Sequence, residues 1–565
     1  MASLPSLIGT APAGATWSPD STHVALLWHD GGWPYREVWL VDAAGAGLRR
    51  VTDVQRTDPA PAPPAGDSTS ALQAQAAARA RAGASEVLWA PDGTLLAVHR
   101  GHLCRVPLTA GAPERLPVGD DVSDVSLSPD GTRVTFLRDG DLWWWTRGAA
   151  AAERLTSIGV PGIAKVPLGS YNTLDREVGT GVWGADWLAY AWAPDGQSIV
   201  FHASDRRHLR AVPFPSHLGA ETIESQVRRG YPGDENERRT LSLLRVGTRA
   251  IEPIALEAPG RRGISDVQWS PSGRLLIDQV FVIDPDAQAP APMALTPVTW
   301  DVAGERGAAT LITHPGTQSL YFTGTGGGPY ERHVYRLAAG DRTPVALTSL
   351  PGVHVPVLSP NGRHLASLWS DDVTPPELLV GEARPGAMLT RVTTSPSPEF
   401  AAQRRVRARH QTFTNRVDGF EVHARILEPA SLDRTTRHPV IFGPVSSNTV
   451  RNRWGGLTGT LQQYLVQQGY IVVQVDMRGS VGYGRRFREA FLMDYGGKDL
   501  DVLQAVVDGL TALPYVDGQR MGIWGSSYGG LRDSGLGAGD SGLGRADVTL
   551  RIATDCAKAM PKPCL

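Results

Sequence analysis

The chain has 565 residues, of which 41% are hydrophobic and 20% are charged, and its formal net charge is −2. This composition indicates a globular protein of two or more domains and argues against a nucleic-acid partner, which requires a basic surface. The three cysteines, Cys104, Cys556 and Cys564, are too few for a disulfide framework and lack metal-ligand spacing, so we expect no metal and no cofactor. The N-terminus lacks a signal-peptide pattern and no apolar run reaches the length of a membrane span, so the expected compartment is the cytoplasm, without membrane contact.

A short turn motif recurs through the first part of the chain. Each copy has Trp or Leu, then Ser or Ala, then Pro, then Asp, Ser or Asn, and a strand-like apolar segment follows it. A Pro-Asp-Gly turn between two apolar segments predicts a β-hairpin. The copies begin at Trp17, Trp89, Leu127, Trp192, Trp269 and Leu358, with a degenerate copy at His314.

The spacing of these turns predicts the architecture. The interval to the next turn proline is 38 residues from Pro91, 44 from Pro271 and 45 from Pro315. A period near 40 residues with several strands per unit is typical of the blades of a β-propeller. The wider intervals after Pro129 and Pro194 are each expected to hold a blade whose turn has drifted. The pattern therefore predicts a seven- or eight-bladed propeller, and the alternative is a set of unrelated turns in a β-rich domain.

We expect residues 1–400 to form this propeller, with two interruptions. Residues 57–84 begin with Pro-Ala repeats and continue as ALQAQAAARARA, which favours a solvent-exposed insertion with a short helix. Residues 219–240 contain ETIESQVRRGYPGDENERR, and their charge density predicts a loop outside the core. That loop either is merely solvated or extends toward a substrate.

From about residue 401 the sequence pattern changes, and strand-like segments alternate with helix-like ones. Such alternation predicts a parallel, doubly wound sheet with helices on its faces. The strand-like segments are 423–427, 439–442 and 470–475, and the helix-like segments are 457–468 and 498–513.

The sequence RMGIWGSSYGG, residues 520–530, closes this series. Its apolar part, Met521 to Trp524, predicts a buried strand, and the GSSYG that follows fits the nucleophile elbow G-x-S-x-G with Ser527 at its centre. At such a strand-to-helix turn the serine Oγ is exposed, and the glycines two positions before and after it prevent clashes. The pattern predicts that Ser527 is a nucleophile in an α/β-hydrolase domain; the alternative is an ordinary glycine-rich turn.

The remainder of the chain departs from that fold. In α/β-hydrolases the catalytic order along the chain is Ser, then Asp or Glu, then His, yet the 38 residues after Ser527 contain no histidine. Residues 531–565 are rich in glycine and show no helix or strand period. We therefore expect an incomplete hydrolase domain over 401–530 and an aberrant tail, caused by a gene truncation or a shifted reading frame. His423 and His438 are the nearest upstream histidines in sequence.

The whole arrangement resembles the prolyl oligopeptidase family of serine peptidases, and within it the dipeptidyl peptidase IV and acylaminoacyl-peptidase branches. The resemblance is strong from about residue 438 to 530 and depends on the turn repeat before that. RGYPGDEN at 229–236 is a looser similarity to the propeller of the dipeptidyl peptidase branch. The stretches that carry the resemblance are VQVDMRGSVGYGRRFREAF (473–491), DYGGKDLDVLQAVVDGL (494–510) and YVDGQRMGIWGSSYGG (515–530).

The resemblance implies a peptide substrate, no cofactor, and Ser527 as the nucleophile. It also implies that the backbone amide of Tyr528 donates to the oxyanion that forms on the substrate carbonyl. Many relatives supply a second donor from a tyrosine before a Gly-Pro turn, whereas this chain has Ile441-Phe442-Gly443-Pro444, without a hydroxyl. Glu221 and Glu224 are the candidates for the glutamates that bind a substrate amino terminus.

Two hypotheses of different classes follow. The first is a serine peptidase of dipeptidyl- or acylaminoacyl-peptidase type, which transfers the acyl group of a short peptide to Ser527 beneath a propeller that filters substrates by size. Because the triad histidine and the acid are missing, the chain as written is expected to be inactive. The second is a non-catalytic propeller that binds peptides or partners and has a vestigial hydrolase half. Sequencing of the gene past codon 530 would distinguish them.

Overall fold

The structure is a computed structural model, and it describes sixteen stretches of the chain. Most of the predicted insertion at 57–84 and the whole of the predicted tail at 531–565 lie outside the described residues. The described residues are 5–57, 78, 82–163, 174–179, 189–216, 223–230, 234–235, 237–254, 267–269, 275–277, 281–283, 293–294, 301–302, 311–314, 316–491 and 498–525.

Within this part of the chain, seven antiparallel sheets follow one another, each built from one continuous segment. The first three comprise β1 (Thr10–Trp17), β2 (His23–His29), β3 (Glu37–Asp42) and β4 (Arg49–Arg50); β5 (Ala84–Trp89), β6 (Leu95–His99), β7 (His102–Val106) and β8 (Glu114–Arg115); and β9 (Ser123–Leu127), β10 (Arg133–Arg138), β11 (Asp141–Thr146) and β12 (Glu153–Arg154). The fourth sheet and a hairpin inserted in it comprise β13 (Val160–Pro161), β14 (Leu174–Val178), β15 (Tyr190–Trp192), β16 (Ser198–Asp205), β17 (Ala211–Ser216), β18 (Ile223–Arg228), β19 (Arg238–Arg245) and β20 (Ile251–Pro253).

The last three sheets complete the propeller. They comprise β21 (Val267–Trp269), β22 (Leu275–Ile277), β23 (Phe281–Ile283) and β24 (Met293–Ala294); β25 (Leu311–His314), β26 (Ser319–Gly324), β27 (His333–Ala338) and β28 (Val345–Ala346); and β29 (Val353–Leu358), β30 (His364–Ser370), β31 (Glu377–Glu382) and β32 (Thr390–Arg391). A short helix, α1 (Val54–Thr57), follows the first sheet.

The repeated turn motif joins the first and second strands of a sheet, as the sequence predicts. In the first sheet Ser18 Oγ donates to Asp20 Oδ1 at 2.6 Å, and that carboxylate accepts the amide of Thr22 at 3.1 Å. The third sheet repeats the arrangement with Ser128 Oγ 2.5 Å from Asp130 Oδ1. The motif residues thus satisfy each other locally, which explains why Ser and Asp flank the proline.

A second repeated feature, a hydrogen bond between a buried acid and a threonine, ties the fourth strand to the third in three sheets. The turn motif does not indicate it. In three sheets a buried acidic residue begins the third strand and accepts a threonine hydroxyl from two residues beyond the fourth strand. The same threonine oxygen accepts the amide of the residue after the acid, so one side chain connects two strands. The acid–threonine pairs are Glu37–Thr52 at 2.6 Å, Asp141–Thr156 at 2.6 Å and Glu377–Thr393 at 2.5 Å, and the amides are those of Val38, Leu142 and Leu378 at 2.9, 3.0 and 2.9 Å.

The ring closes by packing between the first and seventh sheets, without exchange of strands. The indole of Trp17 donates to the carbonyl of Val357 at 2.9 Å, and that of Trp28 donates to Ser395 Oγ at 3.1 Å. Apolar side chains of β2 and β3 form one buried cluster with Ala366, Leu378 and Val380 of the seventh sheet. Burial of this apolar area stabilises the closed ring.

Two expectations about the propeller are wrong in the described residues. The wide intervals after Pro129 and Pro194 supply β13 to β20, which belong to the fourth sheet and its inserted hairpin instead of forming further blades. The charged stretch 219–240 is also not a plain loop, since β18 and the start of β19 lie in it. Two of its charged residues are paired with residues outside the stretch: Glu237 with Arg206 at 3.0 Å and Arg228 with Asp175 at 2.6 Å.

A five-stranded mixed sheet forms the second half, in the order β33 (Arg409–Thr414), β34 (Glu421–Leu427), β36 (Ile471–Val475), β35 (His438–Val445) and β37 (Val516–Gly525). Strands β36, β35 and β37 are parallel, as predicted, but β33 and β34 are antiparallel to each other, and β34 is antiparallel to β36. The difference has a physical reason. A tight turn at 415–420 joins β33 to β34, and short connections give antiparallel pairs whereas parallel pairs need a crossover.

Helices cover both faces of this sheet. Helix α2 (Pro398–Ala401) precedes the sheet, α3 (Gly456–Gln467) joins β35 to β36, and α4 (Arg485–Glu489) and α5 (Lys498–Thr511) lie between β36 and β37. Alternate residues of β36 face opposite ways: Val473 packs with α5, and Val472 packs with Val466 of α3. In the described part of the chain, no helix combines the length and the apolar character that crossing a membrane would require.

Candidate active site

The carboxyl ends of β35, β36 and β37 meet at one edge of the sheet, which we call the serine edge. Val445 pairs with Gly525, the last residue of β37, and Ser446 forms a parallel bridge with Asp476, the residue after β36. In α/β sheets, ligands bind beyond the carboxyl ends of the strands. The loops 446–454 and 476–484 leave β35 and β36 at this edge, which also contains Gly525, the last described residue before the predicted nucleophile.

The strand that leads to the predicted elbow is packed tightly against β35. Gly443 has φ +143°, and a Cβ at this position would lie 2.6 Å from the indole and from the carbonyl oxygen of Trp524. Only glycine therefore fits between these strands. The Gly443–Pro444 peptide bond is cis.

Asp476 is the hub of the serine edge. Its side chain is fully buried, and Oδ1 accepts the amides of Thr449 at 2.6 Å and Val450 at 3.0 Å. Its Oδ2 accepts Arg451 Nη1 at 2.8 Å and the hydroxyl of Tyr483 at 2.7 Å. One carboxylate therefore orders both loops, and burial raises the pKa of Tyr483 well above its usual range. The motif Asp-x-Arg-Gly-Ser-x-Gly-Tyr-Gly, which the sequence analysis used only as a resemblance, supplies both Asp476 and Tyr483.

Propeller residues also contact this region. Asn452 Nδ2 donates to Glu331 Oε1 at 3.1 Å, and its Oδ1 accepts the amide of Asp372 at 3.1 Å. Arg425 of β34 forms a buried ion pair with Asp372 at 2.9 Å. These are polar contacts between nearly buried groups, and the sequence analysis identified none of them because they join residues more than 50 positions apart.

The structure does not place most of the predicted site residues. Ser527, Tyr528 and Glu221 lie outside the described residues. Glu224 belongs to β18, where its backbone pairs with Pro215 of β17. The stretch from Ile441 to Pro444 is part of β35, and Phe442 is buried in the core, so it offers no donor.

The two upstream histidines are poorly placed to act as a base. His438 begins β35, so it lies at the end of the sheet opposite to the serine edge, about 23 Å away along the strand. His423 does lie at the serine edge, because the amide of Asp476 donates to its carbonyl at 3.0 Å, but β34 is separated from β37 by about 14 Å, three strand spacings. Its Nδ1 is 2.9 Å from the hydroxyl of Tyr330, and burial lowers the pKa of His423.

No group of three or more His, Cys, Asp or Glu side chains in the described stretches could hold a metal ion. In the described residues, the loops at the serine edge are held by hydrogen bonds among carboxylates, arginines and backbone amides.

Comparison with known families identifies both halves. The model of the prolyl oligopeptidase family matches residues 458–533, and the model of the dipeptidyl peptidase IV N-terminal region matches 98–281 and 277–376. These matches support a peptidase of the prolyl oligopeptidase family. The match to the dipeptidyl peptidase IV N-terminal region lies in the propeller, and the match to the prolyl oligopeptidase family lies in the α/β-hydrolase half.

Individual curated proteins are similar to parts of the chain. It is 30% identical over 199 residues to the uncharacterized peptidase YuxL of Bacillus subtilis, which covers 34% of this chain and 29% of that protein. It is 31% identical over 252 residues to a probable dipeptidyl-aminopeptidase B of Emericella nidulans, covering 43% and 27% respectively. The matches thus span less than a third of the length of these relatives.

A solved structure supports the fold. Dipeptidyl peptidase 4 of Porphyromonas gingivalis superimposes with a TM-score of 0.63 over 92% of this chain and 79% of that one. The sequence identity is 17%, so this similarity concerns the fold alone.

Proposed function

We propose that this chain derives from a serine peptidase that cleaves short units from peptides, with Ser527 as the nucleophile. The observation that carries the proposal is the position of the G-x-S-x-G sequence directly after β37, whose last residue lies at the serine edge. Ser527 follows Gly525 by two residues, so covalent geometry keeps it within about 7 Å of that edge. The matched family favours peptides as the substrate class.

The chemistry is acyl transfer. The Oγ of Ser527 attacks the scissile carbonyl, the amide of Tyr528 donates to the oxyanion, and the amine leaves with a proton before water hydrolyses the acyl-enzyme. Both proton transfers need a base near Ser527 Oγ, and in this family fold the base is a histidine that follows the serine. This chain has no histidine after residue 527, and neither His423 nor His438 is suitably placed. We therefore propose that the chain as written binds peptides but does not turn them over.

Within this proposal, Glu221 and Glu224 bind the substrate amino terminus. Both lie in residues 98–281, which match the dipeptidyl peptidase IV N-terminal region, and β18, which contains Glu224, pairs with β17 in the hairpin inserted in the fourth sheet. An ionised carboxylate is the group that would pair with a free α-ammonium.

A turnover assay tests the proposal. The purified chain and its Ser527→Ala variant are incubated with aminoacyl and dipeptidyl chromogenic substrates, and equal background rates are expected. A serine-dependent rate would show that another group activates Ser527. The missing histidine also favours the second hypothesis, a non-catalytic peptide-binding propeller. Calorimetric titration with an oligopeptide tests it: binding should persist in Ser527→Ala and weaken in a Glu221→Gln, Glu224→Gln double variant.

A further inference from the structure

We propose that two propeller residues, Asp301 and Tyr330, are positioning residues for the serine edge, because they hold the loops 446–454 and 476–484 in place. This inference rests on the proposed function, since it assigns these residues a role in presenting that edge to a peptide.

Asp301 is anchored in the propeller and reaches into the second half. Its amide donates to Thr325 Oγ1 at 3.0 Å, and its carbonyl accepts the amide of Thr325 at 3.1 Å. Its Oδ2 accepts the amides of Gly482 and Gly484, the latter at 3.3 Å. Asp301 is 2% exposed, so its carboxyl group is buried and Oδ2 is satisfied by two loop amides, while Oδ1 has no hydrogen-bond partner among the described residues. Hydrogen bonds to an ionised carboxylate are stronger than neutral ones.

The loop is shaped to receive this contact. Gly482 has φ +108°, and a Cβ there would lie 2.9 Å from Arg332 Nη2 and 3.1 Å from the carbonyl oxygen of Pro329. The propeller backbone and the Arg332 guanidinium thus lie directly against the loop, and any side chain at residue 482 would push the two halves apart.

Tyr330 makes the second connection through a ladder of rings. Its ring stacks on His410 of β33, with centroids 4.2 Å apart and an interplanar angle of 11°. Its hydroxyl is 2.9 Å from Nδ1 of His423, whose ring stacks on Tyr483 with centroids 4.2 Å apart. Tyr483 in turn donates to Asp476. A continuous series of contacts therefore runs from the propeller to the hub of the serine edge.

The ladder contains two partly buried histidines, so its stability depends on pH. Burial lowers the pKa of both His410 and His423, and Nε2 of His410 has no hydrogen-bond partner among the described residues. Protonation of either ring places a cation in a buried contact. The charged groups that face His410 are Asp372, Arg425, Glu331 and Asp476, and those that face His423 are Glu421, Asp476 and Arg451. Because burial lowers the pKa of both histidines in the assembled state below the ordinary value of 6.5, acidification below pH 6.5 favours separation of the two halves.

Hydrogen exchange of the full chain, followed by mass spectrometry, tests the proposal without any need for turnover. Tyr330→Phe removes the hydroxyl contact to His423 but keeps the ring. Tyr321→Phe is the matched control, because Tyr321 is a buried tyrosine of β26, the strand that precedes the turn containing Tyr330, and its hydroxyl lies 3.3 Å from Thr317 Oγ1. We expect Tyr330→Phe to raise exchange in loops 446–454 and 476–484 about fivefold, the effect of losing one hydrogen bond, and Tyr321→Phe to leave these loops unchanged.

Two further measurements complete the test: a comparison of two Asp301 variants, and the pH dependence of loop protection in the unmodified chain. Asp301→Leu should expose the amides of 482–484, and Asp301→Asn, which retains an acceptor oxygen, should restore most of their protection. In the unmodified chain, protection of the two loops, corrected for intrinsic exchange, should fall from pH 7.5 to 5.5 more than in the first three sheets. Unchanged loops in Tyr330→Phe, or equal exchange in Asp301→Asn and Asp301→Leu, would overturn the proposal. Failure of peptide binding with these exchange effects intact would contradict the proposed function only.

Discussion

At the scale of single residues, the buried ion pair of Asp476 with Arg451 decides the stability of the serine edge. Arg451 is 2% exposed, so removal of the Asp476 charge breaks a buried ion pair from one side. We predict that Asp476→Asn lowers the free energy of unfolding of the second half by about 3 kcal/mol, the cost of breaking a buried pair from one side.

Urea denaturation, followed through hydrogen exchange of β33 to β37, measures this change. Asp30→Asn is the control, because the side chain of Asp30 is 59% exposed, and it should leave the urea midpoint unchanged. Equal midpoints for Asp476→Asn and the unmodified chain would show that the pair contributes nothing.

His202 of β16 gives the propeller a pH dependence. Burial lowers its pKa to about 4, and its Nε2 has no hydrogen-bond partner in the described stretches. Because the unfolded chain binds the proton with an ordinary pKa of 6.5, the folded state loses stability as the pH falls from 6.5 to 4. The loss approaches about 3 kcal/mol, from roughly 1.4 kcal/mol per pKa unit.

The measurement compares urea midpoints of the propeller at pH 7 and pH 4.5. His202→Gln cannot be protonated, so its midpoint should fall less than that of the unmodified chain. His23→Gln, at a partly exposed site, is the control and should keep the full pH dependence. If the urea midpoint of His202→Gln fell between pH 7 and pH 4.5 as much as that of the unmodified chain, His202 would not be the source of the pH dependence.

At the scale of elements, the contact of Gly443 with Trp524 sets the position of the last strand. Gly443→Ala combines a positive φ with a clash against backbone, whereas Gly469→Ala has a positive φ of +89° and no atom within 4 Å of the added Cβ. The conformational strain common to both is about 1–2 kcal/mol. We predict that Gly443→Ala costs clearly more than Gly469→Ala and increases exchange in β35 and β37. If urea denaturation gave the same loss in free energy of unfolding for Gly443→Ala and Gly469→Ala, the clash with Trp524 would contribute nothing.

The acid–threonine repeat of the propeller makes a similar prediction. Thr393→Val retains the shape but leaves the amide of Leu378 without an acceptor and removes a donor to Glu377, so we expect a loss of about 2–3 kcal/mol. Thr390→Val, on the exposed surface of β32, is the control and should be close to neutral. Thermal unfolding of both variants measures the difference, and identical melting temperatures would contradict it.

These elements also show what the sequence could and could not predict. The Pro-Asp-Gly turns are local signals, because the serine, aspartate and following amide bond one another within five residues, and the hairpins they predict are present. The threonine repeat joins residues about 15 positions apart, such as Asp141 and Thr156, so no turn motif reveals it. Alignment of the Arg-Leu-Thr and Arg-Val-Thr triplets, which end at residues 52, 156 and 393, would have found it.

At the scale of the whole molecule, the family and the order of the two halves could be predicted, because the turn period and the elbow are continuous in sequence. The contacts between the halves could not. Asp301 and Gly482 are 181 positions apart, and Tyr330 and His423 are 93 apart, so only the tertiary fold brings them together. The fourth sheet is a second example. The turn spacing predicts further blades in the wide intervals after Pro129 and Pro194, but these intervals hold additional strands and a hairpin of the fourth sheet.

The central proposal is that Ser527 is the nucleophile of a serine peptidase and that the sequence as given lacks a histidine after it to act as the base. Reaction with a fluorophosphonate, which phosphonylates activated serines, tests this claim most directly when intact mass is measured for the full chain and for Ser527→Ala. We predict that neither protein gains the mass of the probe, because the sequence as given has no histidine after Ser527 to take its proton. An adduct on the unmodified chain that is absent from Ser527→Ala would contradict it.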